Sequence, residues 1–432
     1  MPEEWSKIKD ILDGKKTGEE VRVRGWIYRK RSSGGIIFVL IRDVTGVVQA
    51  TVRKGNVPDE DFAKADRALI ESSIKVYGKV KEDKRAPGGY EIEVRSFEVV
   101  NFAEPFPITE DHSEEFLLDV RHLWLRSRKL TEVMKLKAKI LRLIREWFDQ
   151  NDFYEVTPSV ITMNAAEGGA TVFSFDYFGQ KAFLSQTAQM YLEALIFSLE
   201  RVWSLTPSFR AEKSRTRKHL TEYWHLEAEE AWVDNEENMK IQEELVSYVC
   251  QNIIKVAKDE LEYLGRDAEK LKVVEPPFKR IKYEKAIEIL RDKGFDMEWG
   301  DDFGAPHERA LVEGEDKPIF VTHFPVEAKA FYMKISPDGK TVECADMLAP
   351  EGYGEIIGGS ERSEDIDSMI ARLKADGAKI ENYEWYFDLR RYGSVPHSGF
   401  GLGLERLVTW IAKLDHIRDA IPFPRTINRA YP

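Results

Sequence analysis

With 432 residues, 43% of them hydrophobic and 32% charged, the chain has the size for two or three domains and the composition of an ordinary soluble protein. It offers no run of roughly eighteen apolar residues for a membrane span, and Met1-Pro2-Glu3-Glu4-Trp5 lacks the basic-then-apolar pattern of a secretory signal, so no membrane association and a cytoplasmic location are expected. The net charge of −12 argues against a uniformly basic nucleic-acid binder, yet it is uneven: residues 1–103 carry 20 Lys+Arg against 17 Asp+Glu, a net +3, and the remainder 44 against 59, a net −15.

In chain order, Val21 to Ile27 and Ile36 to Arg42 read as two strands of a hairpin across Ser32-Ser33-Gly34-Gly35. A turn at Thr45-Gly46 leads into Val47 to Val52, and further β-rich blocks lie at Ser73 to Val80 and Tyr90 to Val99. Glu60 to Ile70 has helical spacing between the third and fourth blocks, which is the layout of an OB barrel, a fold whose curved face binds oligonucleotides. A scaffold-only barrel fits the strand pattern equally well. The cluster Arg22, Arg24, Arg29, Lys30 and Arg31 is its most basic part.

Pro105, Pro107 and several acids mark Asn101 to Glu115 as a linker. The predicted division is a barrel domain over 1–103, a hinge over 104–126 and a larger domain over 127–432. Lys129 to Gln150 has amphipathic helical spacing and is followed by a short strand, Phe153 to Thr157, ended by Pro158. Asn235 to about Pro318 reads as charged and helical, including a helix around Tyr283 to Lys293; Ile319 to Thr322 and Ala330 to Met333 read as two core strands. Cys250 and Cys344 lie far apart with no CxxC spacing, as expected of two buried small hydrophobes.

Three stretches carry chemistry. In Phe209-Arg210-Ala211-Glu212, an arginine and a glutamate two residues apart leave an extended backbone on one face, and the basic segment Lys213 to Lys218 has the composition of a mobile loop able to close over phosphate. Asp346 and Glu355, followed by Gly358-Gly359-Ser360 and Arg362, supply carboxylates of the kind that anchor Mg2+ beside a phosphate chain. In Gly399-Phe400-Gly401-Leu402-Gly403-Leu404-Glu405-Arg406, repeated glycines permit close approach of a strand and a helix that bears an arginine at its start.

The first stretch, continued by Arg217, His219, Tyr223 and Glu227-Ala228-Glu229-Glu230, closely resembles motif 2 of the class II aminoacyl-tRNA synthetases, in the archaeal-like aspartyl, asparaginyl and lysyl subgroup. The helix, strand and Pro158 resemble motif 1, and the glycine-rich segment motif 3. The resemblance implies an α+β chain, an OB anticodon-binding barrel followed by a mainly antiparallel sheet flanked by helices, working as a homodimer with ATP and Mg2+. It implies that Arg210 holds the α-phosphate, that Tyr223 stacks on adenine with Glu212 close by, that Arg217 and His219 approach the outer phosphates, and that Arg406 reaches the γ-phosphate. By the same resemblance Glu355 and Asp346 hold the metal, and Glu167, Gln189, Glu227 and Arg362 surround the amino acid. Arg24-Gly25-Trp26 with Phe38 to Asp43 and Gln49 resembles the family's anticodon face, Phe38 stacking on a base and Gln49 bonding a base edge.

The segment Gln186-Thr187-Ala188-Gln189-Met190-Tyr191-Leu192 bears on substrate choice. In the family's aspartate enzymes a lysine stands where Leu192 stands here. A buried substrate carboxylate without its cation loses several kcal/mol, whereas a neutral amide does not miss it. Glu227 either serves the substrate's α-amino group or faces its side chain, where a carboxylate accepts from an amide NH2 and repels another carboxylate. Asparagine is therefore the expected substrate and tRNA(Asn) the expected partner. The open alternatives are an aspartyl enzyme, including one that charges both tRNAs, an asparagine synthetase on the same core, and a tRNA-binding protein that has lost catalysis.

Overall fold

The computed structural model describes residues 4–109, 112–166, 171–213 and 216–432, which fall into two units, 1–118 and 119–432. In the first unit, five strands close into a barrel in the order β1-β2-β3-β5-β4: β1 (Glu20–Ser33), β2 (Ile36–Arg42), β3 (Val47–Arg53), β4 (Ser73–Glu82) and β5 (Tyr90–Asn101). Alternate residues such as Ile37, Val39 and Ile41 fill the interior, which puts Phe38 and Leu40 on the outer face. Closure leaves no room at Gly25, where a Cβ would lie 2.2 Å from the carbonyl oxygen of Arg42.

The β1 strand runs six residues beyond the expected Ile27, so Arg29, Lys30 and Arg31 lie on it and the expected turn at Ser32 to Gly35 shrinks to Gly34-Gly35. The Lys30 ammonium donates to the carbonyls of Ala65, Asp66 and Ala68, capping the helix Asp59–Arg67. That helix therefore ends three residues short of the expected Ile70, and Ala68 already has extended backbone.

The second unit is built on an eight-stranded sheet in the order β12-β13-β14-β15-β16-β11-β10-β6. Its strands are β6 (Tyr154–Glu155), β10 (Arg201–Phe209), β11 (Glu222–Ala231), β12 (Lys279–Lys282), β13 (Ile319–Thr322), β14 (Cys344–Ala349), β15 (Gly354–Glu361) and β16 (His397–Gly403). Only the outermost pairs, β12 with β13 and β10 with β6, are parallel. A smaller sheet, β7-β9-β8, joins β7 (Ile161–Thr162), β8 (Ser174–Tyr177) and β9 (Gln180–Leu184). The α+β arrangement expected from the sequence is the one observed.

One face of the large sheet packs on the helices Arg128–Gln150, Asn235–Val256 and Leu404–Ile411, with Ile140, Phe148, Leu245, Phe400 and Trp410 in a single core. Lys137 interrupts the apolar stripe of the first helix because it has a buried partner: its ammonium is 2.6 Å from Glu405 Oε1, and Glu405 Oε2 accepts from the backbone N–H of Trp224. The base of the Leu404–Ile411 helix is thereby fixed to the back of β11, next to Arg406.

Ala330 to Met333 is not a strand. Phe331 and Tyr332 turn into an aromatic cluster with Tyr383 and Tyr386, and only Met333 makes an isolated bridge, to Arg362. The apolar run that suggested a strand is a packing surface. Cys250 and Cys344 are both buried and unpaired.

Candidate active site

The other face of the sheet is kept open by glycine. Register places Asp346 opposite Gly358, Gly358 opposite Gly401, Gly401 opposite Glu227 and Glu227 opposite Ser204, a row crossing five strands on one face. On β16 every residue facing this side from 399 to 403 is glycine. A Cβ on Gly401 would come within 2.3 Å of His225 Nε2, and one on Gly399 within 2.2 Å of the Glu229 carboxyl carbon. Polar side chains of the neighbouring strand occupy the space that β16 leaves free.

Above this floor lies a cavity of about 750 Å³. Arg210, Glu212, His219, Tyr223, Glu355 and Arg406 all line it, although they come from four separate parts of the chain. Arg210 follows the last residue of β10, with its guanidinium 5.7 Å from the Tyr223 ring. Burial together with the charges of Arg406 and Arg210 pushes His219 below the usual histidine range, so its ring is neutral at pH 7. Arg217 lies outside this lining, in a neighbouring cavity of about 560 Å³ that shares Lys218, Arg406 and Ile417 with the first.

The two expected metal carboxylates converge. The point where a Cβ on Gly358 would sit is 3.4 Å from Glu355 Oε1 and 3.5 Å from Asp346 Oδ1. Burial raises Asp346 to about 6; Lys329, 2.5 Å away, opposes the rise and the Glu355 charge adds to it. For Glu355, burial is outweighed by Arg406, Lys329 and Arg210, and the carboxyl lies below the ordinary range. Arg406 Nη1 donates to the Glu355 carboxylate at 3.1 Å and to its carbonyl at 3.0 Å. Among the described residues no three His, Cys, Asp or Glu side chains form a metal cage. Two converging acids would suit Mg2+ if a phosphate chain lay beside them, since Mg2+ takes its remaining ligands from phosphate and water.

Gln189, Glu227 and Arg362 form a second, more deeply buried group. Glu227 accepts from the backbone N–H of Ala188 at 2.7 Å and from the Thr187 hydroxyl. Burial raises its carboxyl to about 7, against those hydrogen bonds and the pull of Arg362 and Arg210. Arg362 is clamped bidentately on Glu229 and donates to Ser360 Oγ at 2.7 Å. Burial works against its charge, but Glu229 more than offsets it, and the guanidinium is held charged. Gln189 donates from Nε2 to Glu193 Oε1 at 3.0 Å, which leaves its amide oxygen as the group available to a ligand. Glu167 lies outside the described residues.

Several residues of this group were not singled out from the sequence. Glu193, fully buried, accepts from Tyr386 at 2.7 Å, Arg390 at 2.6 Å and His397 at 3.0 Å as well as from Gln189. Its i+4 spacing from Gln189 was the available signal. Glu229 shares a face with Glu227 by strand alternation, which was equally readable. Arg390 and His397 reach the group only through tertiary packing. Leu192, on which the substrate argument turned, is fully buried against Ile196, Val202 and Ala231, so this position presents no polar group to a ligand.

On the barrel, the Arg31 guanidinium lies 4.6 Å from the half-buried Phe38 ring. Gln49 is buried, and its Nε2 donates to Glu91 Oε2 at 3.0 Å, a carboxylate oxygen that also accepts from Thr51 Oγ1 at 2.6 Å.

A cavity flanked by Arg210 and Arg406 on a mainly antiparallel sheet, in a chain whose first unit is a closed five-stranded barrel, is the arrangement that the resemblance to class II aminoacyl-tRNA synthetases implied. A model of the class II tRNA synthetases for D, K and N matches residues 113–427, and one of the OB-fold nucleic acid binding domain matches residues 21–100. The chain belongs to the class II tRNA synthetases of this D, K and N group. It is 54% identical to the asparagine–tRNA ligase of Thermococcus kodakarensis over 417 residues, 96% of each chain, and 54% identical to that of Pyrococcus horikoshii over 430 residues, 99% of this chain and 98% of the other. The crystal structure of asparaginyl-tRNA synthetase from Pyrococcus horikoshii complexed with asparaginyl-adenylate matches all of both chains with a TM-score of 0.96 and 52% identity. An aspartyl-tRNA synthetase from Entamoeba histolytica matches at 25% identity with a TM-score of 0.85, over 99% of this chain and 93% of the other.

Proposed function

We propose that this enzyme is an asparagine–tRNA ligase. It activates asparagine with ATP to asparaginyl-adenylate and transfers the asparaginyl group to the 3′-terminal ribose of tRNA(Asn). The observation that carries the choice of amide over acid is the disposition of buried cations. Arg362 pairs with Glu229, Arg390 with Glu193, and Lys329 with Asp346. Each is already committed to a protein carboxylate, so none of the three is left to balance a substrate carboxylate. Glu227 adds a carboxyl that accepts from an amide NH2, and Gln189 an amide oxygen suited to an ammonium N–H. The full-length likeness to asparagine–tRNA ligases supports the same reading.

No protein nucleophile takes part. The substrate carboxylate attacks the α-phosphorus and pyrophosphate leaves; the ribose hydroxyl then attacks the acyl carbon and AMP leaves. The chain's contribution is positioning and charge stabilisation. Arg210 holds the α-phosphate, Arg406 the γ-phosphate, Tyr223 and Glu212 the adenine, and His219 and Arg217 the outer phosphates. Glu355 and Asp346 would hold Mg2+, which supplies charge neutralisation of the phosphates. Residues 1–103 act as the anticodon-binding domain, 104–126 as hinge and 127–432 as catalytic domain of a homodimer. On the barrel, Phe38 provides a stacking surface and Gln49, its amide nitrogen occupied by Glu91, offers an acceptor to a base-edge donor. Among the described residues no helix is long and apolar enough to cross a membrane. Asparagine-dependent ATP–pyrophosphate exchange tests the assignment: Arg210→Ala should bring it close to background, and retained exchange would overturn the reading.

A further inference from the structure

Beyond Arg406 the nucleotide cavity opens into a second one, to which Arg217 and Arg406 contribute from the outer-phosphate end. It offers about 560 Å³ of open space and meets the nucleotide cavity at Lys218, Arg406 and Ile417. Arg217, Lys218, Arg309 and Arg406 are its cations, and Asp415 is its only acid. Two of the cations are already balanced: Lys218 lies 2.9 Å from Glu308, and Arg406 lies 3.1 Å from Glu355. Arg217 and Arg309 have no ion-pair partner among the described residues.

Both are held in place by other means. The backbone carbonyl of Arg217 accepts from Ile417 N at 3.2 Å, which anchors the loop where the two cavities meet. Arg309 follows Glu308 on the helix Ala305–Leu311, and its stem lies over Gly352, where a Cβ would approach its Cγ to 3.3 Å. Glu308 in turn accepts from Lys218 and from the backbone N–H of Glu355 at 3.2 Å, tying this helix to both walls of the nucleotide cavity.

We infer that this annex is a product site for inorganic pyrophosphate, bound as its magnesium complex, through which pyrophosphate leaves after adenylate formation. The inference rests on the adenylate-forming reading above. Pyrophosphate is the reaction's small, highly charged product and is released at the outer-phosphate end of the nucleotide, the end at which Arg406 and Lys218 join the two cavities. Unpaired arginines facing such a space offer the forked donors that phosphate oxygens take. Arg309 does not line the nucleotide cavity; besides the annex it borders the open groove beside Lys293 and Glu313.

Titration calorimetry of magnesium pyrophosphate tests this, using the full-length enzyme with its adenylate site filled by a non-hydrolysable sulfamoyl analogue of asparaginyl-adenylate. Arg309→Ala should weaken pyrophosphate binding about tenfold or more, as expected for loss of a charged hydrogen-bond donor. Arg309→Lys should fall between the two, and ATP affinity of the analogue-free enzyme should stay within about twofold. Arg309 is exposed, so the substitutions leave the core intact. Equal pyrophosphate affinity in all three proteins would overturn the inference. So would parallel loss of ATP and pyrophosphate affinity, or a loss confined to tRNA binding. Failure of the analogue itself to bind would instead count against the adenylate-forming reading.

Discussion

Replacing Glu227 by glutamine removes one buried charge at almost constant volume. The Glu227 carboxyl is carried by burial from an ordinary 4.5 to about 7. At about 1.4 kcal/mol for each tenfold change in a protonation equilibrium, its ionisation costs the folded state roughly 3 kcal/mol. The sign follows from which state ionises first. Below pH 4.5 the group is protonated both folded and unfolded and contributes nothing. Between 4.5 and 7 the unfolded chain loses the proton while the folded chain keeps it, so stability falls as pH rises, and above 7 the loss is complete. Glutamine has no such loss and can still accept from Ala188 N–H while donating to the Thr187 hydroxyl. Glu227→Gln should therefore be more stable than the parent by between about 1 and 3 kcal/mol at pH 8 and by less than about 1 at pH 5, read from urea-unfolding midpoints. The same variant should raise the KM for asparagine about tenfold and narrow the preference for asparagine over aspartate, because on the proposed reading Glu227 accepts from the amide and repels the acid. A stability difference independent of pH would refute the assigned ionisation. Unchanged discrimination would show that Glu227 serves only Thr187 and Ala188.

Glu193→Gln leaves Arg390 and His397 without their shared carboxylate, and breaking a buried pair of this kind costs about 3–5 kcal/mol; thermal unfolding should show a marked loss of stability, and the KM for asparagine should rise more than that for ATP as Gln189 loses its anchor. Gly401→Ala puts a methyl group within 2.3 Å of His225 and should lower kcat/KM for ATP about tenfold or more in pyrophosphate exchange, with the secondary structure seen by circular dichroism unchanged. Phe38→Ala should weaken tRNA binding by about 1–3 kcal/mol in a filter-binding titration while leaving asparagine-dependent exchange intact, since the proposed reading gives the barrel no part in adenylate formation.

What the sequence disclosed about this molecule follows the range of its interactions. The barrel was legible because period-two alternation is local; the strand spacing of Gly399, Gly401 and Gly403 was readable too, but it was read as close approach of a strand and a helix, whereas Gly399 and Gly401 make room for Glu229 and His225. Arg210, Tyr223, Glu355 and Arg406 were legible through separated motifs, and the fold brings them to one cavity. Lys30 as a helix cap, Lys137 in an apolar stripe and the pairing of Glu193 with Arg390 and His397 were not legible, since each of these contacts spans at least thirty-five residues. Ala330 to Met333 misled because an apolar run reports burial without reporting pairing. Leu192 pointed toward the amide by the absence of a cation, yet the stronger physical case is the pairing of Arg362, Arg390 and Lys329 with carboxylates of the chain itself, which only three-dimensional contacts reveal.

The most direct test of the central claim is adenylation measured side by side with asparagine and with aspartate, at equal concentrations, by amino-acid-dependent ATP–pyrophosphate exchange. A pocket in which Arg362, Arg390 and Lys329 are each paired with a carboxylate of the chain should discriminate by at least about a hundredfold in kcat/KM in favour of asparagine. Comparable exchange with aspartate would contradict the account.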